Sequence, residues 1–331
     1  MTNARRIIHA VAAIAGAVTP ATVAAQAPAD FPTQSVRIIV ATSPGGALDA
    51  TARAIGNKLA QMWNQQVIID NRAGANGAIA YDLLTKSTPN GHTLMTVSAT
   101  HIVNSLVIRD WPHDVQKVTA PLSQVASLYY VIYRHPSVPL ATLKDVIAYG
   151  RKNPGKLLYG TGGNANISHL GWEWLGHLSG AKFKHVAYKG ASNAVKATIA
   201  GELHVGFSTV HSLRGHFEAG RAYPLAVTSK QRIAQLPDVP AVAEFGMPEY
   251  EINQWYGLVT SARVPPTLTA KLSPTIIEAV KSSEVVQRLS ADGSVPVGST
   301  AADFSAHLKA ETVKWRKVLQ DTGMALSGSK L

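Results

Sequence analysis

Short apolar, β-branched runs alternate along this chain with segments whose apolar residues recur every three or four positions. The strand-like runs lie at 36–40, 67–69, 93–97, 129–133, 157–159, 185–187, 205–207 and 225–227. Between them, Leu48, Ala52, Ile55 and Leu59 share one helical face. Thr142-x-x-Asp145 reads as a capping box with Gly150 as a stop, and helices are expected over 168–178 and 192–200, ending at Gly180 and Gly201. Strands alternating with helices of this length predict largely parallel sheets with crossovers on their faces. Beyond a proline-punctuated loop at 237–248, a short aromatic strand at 255–258 precedes helices at 266–281, 284–291 and 300–320. There is no solenoid-period repeat and no low-complexity tract.

The first 25 residues stand apart. Arg5-Arg6 make a basic start, residues 7–18 are a short apolar core, and 19–25 are small, which is the pattern of a secretory signal peptide. Cleavage after Ala25 is preferred to cleavage after Ala27, where Pro28 would obstruct the cut. Arg5-Arg6 lacks the flanking residues of a twin-arginine signal, so Sec-type export is expected. Its removal lowers the formal charge from +11 to +9, and about 300 residues remain, enough for two domains with the cleft between lobes as the default ligand site. Cysteine is absent, which excludes disulfides, thiolate catalysis and cysteine-ligated metal. The 31 Lys and Arg are scattered among 20 Asp and Glu. This argues against nucleic acid and for long-range attraction of a small anion.

Polar, glycine-bearing loops follow the strands. Pro44-Gly45-Gly46-Ala47-Leu48-Asp49 lies between the first strand and its helix, where free N–H groups and a helix dipole would meet an anion. Gly46 is expected to adopt positive φ there, and Asp49 is the carboxylate most expected to face the cleft. Similar loops hold Asn71, Arg72, Gly74, Asn76 and Gly77; Ser98 to His101; Gly160 to Ala165; Tyr188 to Ser192; and Ser208 to Val210. Ligands of α/β sheets bind at that edge. Gly160-x-Gly162-x-x-Ala165 has the spacing of a dinucleotide loop, yet Lys182 and Lys184 stand where an acid would hold the ribose, so no cofactor is expected. Enzyme signatures such as G-x-S-x-G and H-E-x-x-H are missing. His211 and His216 point to different helix faces, while His169 and His177 lie two turns apart, so no metal site is expected. Asp70, Asp82 and Glu173 read as turn or surface charges. A secreted hydrolase using Ser168 or His169 is the rival reading, and a sensory receptor is a third.

Several segments, in order, resemble one family: 36–40 with Pro44-Gly45-Gly46 and Asp49, Asn71-Arg72-x-Gly74-x-x-Gly77, Pro89-Asn90-Gly91-His92, His135-Pro136-Ser137, Asn153-Pro154-Gly155-Lys156, Tyr188-Lys189-Gly190, 225–229, and Leu236-Pro237-Asp238-Val239-Pro240 with Glu244. These are the Bug receptors of tripartite tricarboxylate transporters. The resemblance implies an α/β, two-lobed type II periplasmic-binding-protein fold, with lobe 1 at 30–125 plus 226–331 and lobe 2 at 126–225. Strands near 123–130 and 223–227 would cross between the lobes. It implies a monomeric periplasmic receptor that closes on a small organic carboxylate, a di- or tricarboxylate or an aromatic acid, and delivers it to membrane transporter subunits. The residues carried over are Ser43, Gly45, Gly46, Ala47, Asn76 and Gly77 on one lobe and Gly163, Asn164 and Ser168 on the other. Ser98, His101, Tyr188, Ser208 and Thr209 join them from the loop reading. Ser208-Thr209 replaces the Asp-Asn of many relatives, which favours a more anionic ligand or one less like an amino acid. Arg72 is expected to brace its own loop.

Overall fold

The computed structural model describes residues 31–324, except Arg109, Asp110, Ala165, Lys189 and Asp292. The expected signal peptide at 1–25 lies outside the described residues, as do Ala165 and Lys189 of the two loops named above. The strands are β1 Val36–Val40, β2 Val67–Asn71, β3 Thr93–Ser98, β4 Thr119–Arg134, β5 Leu158–Thr161, β6 Lys184–Ala187, β7 Val205–Thr209, β8 Tyr223–Val227, β9 Asn253–Ser261 and β10 Val295–Pro296. The helices are α1 Ala47–Trp63, α2 Ala78–Lys86, α3 Ala99–Val107, α4 Val115–Val118, α5 Leu143–Lys152, α6 Ile167–Ser179, α7 Ala191–Ile199, α8 Val210–Glu218, α9 Pro266–Lys281, α10 Ser283–Ala291 and α11 Ala301–Thr322. Among the described residues no helix is long and apolar enough to cross a membrane.

The strand order is β2-β1-β3-β9-β4-β7-β5-β6, with β8 and β10 also pairing with β4. Pairing is parallel within β2-β1-β3 and within β7-β5-β6, and β9 and β7 run antiparallel to β4. β4 is 16 residues long and exceeds the expected 129–133 run at its N-terminal side. Pro121, Ser123, Gln124 and Ser127 hide that stretch from an apolar-run reading. The register shifts between Pro121 and Ser123, where proline cannot donate to the ladder, and Ser123 Oγ donates to the Ser299 carbonyl at 2.8 Å. β4 pairs with β9 as far as Tyr129 and with β7 from Tyr130 onward. The return path to the first half follows Val227, and the Ile252 N–H donates to the Thr228 carbonyl.

This topology sets the site. β9 is antiparallel to both β3 and β4, so β1 to β3 run in the same sense as β4, which travels from the first half of the sheet to the second. β5 to β7 run in the opposite sense. The C-terminal ends of both parallel sets therefore point toward the place where β4 passes between them, and their loops converge there.

Three buried clusters support the halves. One lies under α1, α9 and α10, with Leu48, Ile55, Leu59, Leu272 and Ile276. A second lies under α7 and α8. The third extends from Tyr81 and Ile102 through Trp255 and Trp315 to Trp172 and Tyr159, and so underlies both halves. Within it Glu311, 4% exposed, accepts from the Trp255 indole at 2.9 Å and the Trp315 indole at 3.1 Å and pairs with Lys314. A buried carboxylate is tolerable only when its lone pairs are filled in this way.

Candidate functional site

β1 ends in a turn at Pro44-Gly45, and α1 begins at Ala47 with Gly46 as its N-cap. Positive φ falls on Gly45 (+87°), whereas Gly46 sits at φ −82°, ψ 167°, ordinary extended backbone. The expectation of positive φ at Gly46 is thus corrected: the turn reverses one residue earlier. Gly46 supplies no side-chain cap, and the first intrahelical bond runs from the Ala50 N–H to the Gly46 carbonyl. The N–H groups of Ala47 and Leu48 have no partner within the helix, and the dipole adds positive potential in front of them.

Asp49 holds this turn in shape. It is 3% exposed and accepts from the Gly45 N–H at 2.9 Å, Arg53 Nε at 3.0 Å and Asn71 Nδ2 at 2.9 Å. Burial would raise its carboxyl, but the hydrogen bonds from Arg53, Gly45 and Asn71 outweigh burial and hold it below the usual carboxylate range. Asn71 also donates to the Thr42 carbonyl, so the loops after β1 and β2 are tied together. Arg72 Nε bonds Asp70 at 2.8 Å, which places its head group on its own strand.

The loop at 74–77 holds four successive positive-φ residues, Gly74, Ala75, Asn76 and Gly77. Two of them carry side chains, a conformation that costs energy and recurs at ligand-binding loops. Gly77 could be no other residue without movement: a Cβ there would stand 2.8 Å from the His101 ring. Asn104 Nδ2 donates to the Asn76 carbonyl at 3.0 Å. His101, 4% exposed, completes a capping box by accepting the Ser98 N–H on Nδ1 at 3.0 Å, so its proton resides on Nε2. Burial lowers its pKa to about 4, and the ring is neutral at neutral pH.

In the second half the loops are closed on themselves. Asn166 caps α6, accepting from the His169 N–H at 2.9 Å and from the Ser168 hydroxyl at 2.8 Å. Thr209 caps α8 by accepting from the Ser212 N–H, and Ser208 is buried on β7. Gly163 has φ +142° and its carbonyl accepts from Thr161. Asn164 is exposed in the turn, and the Tyr188 hydroxyl lies 3.5 Å from Glu202. Behind them His169 and His185 stack with centroids 3.7 Å apart, each pushed down to about 4 by burial. Since the Thr161 hydroxyl donates to Gly163, His185 Nε2 donates to Thr161 across 2.6 Å.

A cavity of about 310 Å³ gathers Gly46, Ala47, Asn76, Ser98 and His101 with Thr42, Thr100, Asn104, Gln254 and Tyr256. Neither Asp, Glu, Lys nor Arg lines it. Gly77 backs the His101 ring, Gly45 and Asp49 shape the turn behind the cavity, and Ser43 is exposed on the loop leading to it. The six second-half residues named from sequence line no part of it. Sequence reasoning missed Thr42, Gln254, Tyr256 and the cap Asn166. Thr42 directly follows β1 and was within reach; Gln254 and Tyr256 arrive only through the pairing of β9 with β3. A larger groove, about 940 Å³, opens between α1 and α10, but Arg53 there is engaged with Asp49 and Asn71.

The smaller cavity is lined by neutral polar groups: helix-start amides, an Nε2–H and hydroxyls. The profile of the tripartite tricarboxylate transporter family receptors (TctC) matches residues 51–324. A protein of Pseudomonas sp. strain P51, from the tcbD-tcbE intergenic region, is 32% identical over 95% of this chain and 93% of its own. An R. palustris protein solved with adipate is 29% identical, covers 89% of this chain and 99% of its own, and superposes with a TM-score of 0.76. The periplasmic binding protein BugD, 20% identical over 90% of this chain and 100% of its own, superposes at 0.73 and shows the same fold. With that fold and a profile match over most of its length, the chain belongs to the family of tripartite tricarboxylate transporter receptors, the Bug proteins.

Proposed function

We propose that this protein is an exported, monomeric receptor that captures a small organic carboxylate in the periplasm and delivers it to the membrane subunits of a tripartite tricarboxylate transporter. The observation that carries this reading is the uncapped start of α1 opening into a cavity of neutral donors. A carboxylate placed there would receive the Ala47 and Leu48 amides at the positive end of the helix dipole. The size of the cavity suits an acid of a few carbons, and a 29% identical relative carries adipate. The two sheet halves act as lobes, at 30–125 with 226–331 and at 126–225, and they close on the ligand through β4 and the return segment after Val227. Closure brings the loops at 163–168, Tyr188 and 208–209 to the ligand's second end. Binding without turnover is expected, since the Ser168 hydroxyl is already committed to the Asn166 side chain at 2.8 Å.

A thermal-shift screen of mono-, di- and tricarboxylates on the mature protein tests the reading. A ligand at about 100 times its Kd adds roughly 2.7 kcal/mol, or about 5 °C in Tm. Small-angle scattering with that ligand should show a smaller radius of gyration. No shift with any carboxylate would refute the receptor assignment, and binding with an unchanged radius would refute closure.

A further inference from the structure

We infer that the end of the second half remote from the cavity docks on an anionic phospholipid surface. The inference goes beyond the receptor reading and does not use the carboxylate site. Charge is divided unevenly along the chain. Residues 126–225 hold eleven Lys and Arg against four Asp and Glu, whereas residues 26–125 and 226–331 hold eighteen against sixteen. Because the C-terminal ends of β5 to β7 point toward the cavity, their N-terminal ends and the C-terminal end of β4 form the opposite base. Cations gather there. α5 brings Arg151 and Lys152 in its last turn. Lys182 is tied in beside them: its N–H donates to the Gly150 carbonyl at 3.3 Å, and its carbonyl accepts from the Gly155 N–H at 3.0 Å. The second bond sets Lys156 next to Lys182, and Lys184 opens β6 opposite Leu158. Arg221 precedes β8, whose Tyr223 is paired with Arg134 at the end of β4.

All six of these side chains are exposed, and none is ion-paired with an acid among the described residues. Glu173 and Asp321 share a shallow cavity with Lys182, but Glu173 accepts from the Tyr159 hydroxyl at 2.5 Å and Asp321 from Lys317 at 2.6 Å. Asp145 is turned back onto Thr142 at the other end of α5. The base is therefore a cationic surface without internal compensation, and its field attracts an external anion. Tyr149 and Tyr223, 39% and 43% exposed, stand among the cations. Tyrosine rings settle at the headgroup level of a bilayer. Lipid fits better than an acidic protein partner, because four of the six cations are Lys, which protein interfaces shed in favour of Arg. A compact ammonium on a flexible stem suits the diffuse charge of a headgroup layer. Docking by the base leaves the cavity and its loops uncovered.

The test is co-sedimentation of the mature protein with vesicles of phosphatidylcholine alone and of phosphatidylcholine with about 30% phosphatidylglycerol. At low salt the anionic vesicles should bind roughly tenfold more protein than the neutral ones, and about 0.5 M NaCl should release it. Combining Lys152→Gln, Lys156→Gln, Lys182→Gln and Lys184→Gln should abolish the difference. Lys156→Gln with Lys184→Gln supplies the same comparison, at about half the loss, if the quadruple variant does not fold. A control variant combining Lys86→Gln, Lys117→Gln, Lys271→Gln and Lys309→Gln, all exposed elsewhere on the molecule, removes the same charge and should bind vesicles as the wild type does. Tyr149→Ser with Tyr223→Ser should weaken binding about threefold. No preference for the anionic vesicles would overturn the inference and leave the patch to an acidic protein partner. Equal losses in the two quadruple variants would also overturn it, reducing the effect to net charge. Neither result touches the receptor reading, which is tested by carboxylate binding without lipid.

Discussion

The starts of α1 and α6 have almost the same backbone and opposite fates. Gly46 caps α1 at φ −82°, ψ 167°, and Asn166 caps α6 at φ −83°, ψ 169°. Asn166 turns its side chain back onto the His169 amide and takes the Ser168 hydroxyl as well. Gly46 has no side chain to do so, and the amides behind it open into the cavity. An N-cap side chain of this kind takes the third amide of the helix and stands in front of the first two, and Gly46 leaves that space open. The dipole is common to both.

The comparison is broken most directly by exchanging the caps. Gly46→Asn should let the new side chain accept from the Asp49 N–H. A Cβ at Gly46 would meet no atom within 4 Å, so the fold should be kept or gain a few tenths of a kcal/mol. Affinity for the carboxylate should fall about 100-fold or more, the loss of an anchor worth roughly 3 kcal/mol. Wild-type calorimetry of a folded Gly46→Asn would show that the amides are not the anchor. Gly77→Ala comes next. A methyl group at φ +104°, pressed on the His101 ring, should cost about 1–2 kcal/mol of stability by denaturant unfolding and weaken binding about tenfold.

The reciprocal change is milder. Asn166→Ala should cost about 1 kcal/mol as a lost cap, with binding altered by roughly twofold at most. Ser168→Ala and Arg72→Gln should leave affinity within about twofold, because their side chains bond Asn166 and Asp70. An Arg72→Gln protein that stays folded and loses binding would return the anion to a side-chain charge.

Acid should separate stability from charge. His101, His169 and His185 are neutral in the fold, with pKa values near 4, and titrate at about 6.5 when unfolded. The unfolded chain therefore takes up protons first as pH drops. Their contribution is complete above about pH 6.5, declines as pH falls toward 4 and levels off below it. Urea midpoints at pH 7, 5.5 and 4.5 should fall in that order with m unchanged. A midpoint constant over this range would show that the rings are not held neutral.

Much of the frame could be read from the sequence because its signals are local. The capping box at Thr142, the N-cap at Thr300, the Gly180 stop and the β-branched runs each act within a few residues. The loops around Gly46 and Asn76 were legible for the same reason. What escaped depends on long-range pairing: the polar first part of β4, and Gln254 and Tyr256, brought to the cavity by a strand about 200 residues away from β1 in the chain. Asn166 escaped for a subtler reason. Its neighbours Asn164 and Ser168 offered the same chemistry, and only the observed φ and ψ distinguish a cap from a ligand donor.

β4 has a mechanical consequence. Among the described residues it is the one strand bonded to partners in both halves, over 16 residues, with register shifts at 121–126 and again at Ile132/Tyr133. A strand laddered on both edges cannot swing about one bond without rupturing its neighbours. Rotation between the halves must be shared as added twist along its length, most readily at the bulges, where the ladder is already uneven. The connection would then behave as a torsion spring. Under the proposed closure, each degree would be stored as elastic twist that drives the halves apart again once the ligand leaves, and the strand that guides capture would also set the stiffness against which release occurs.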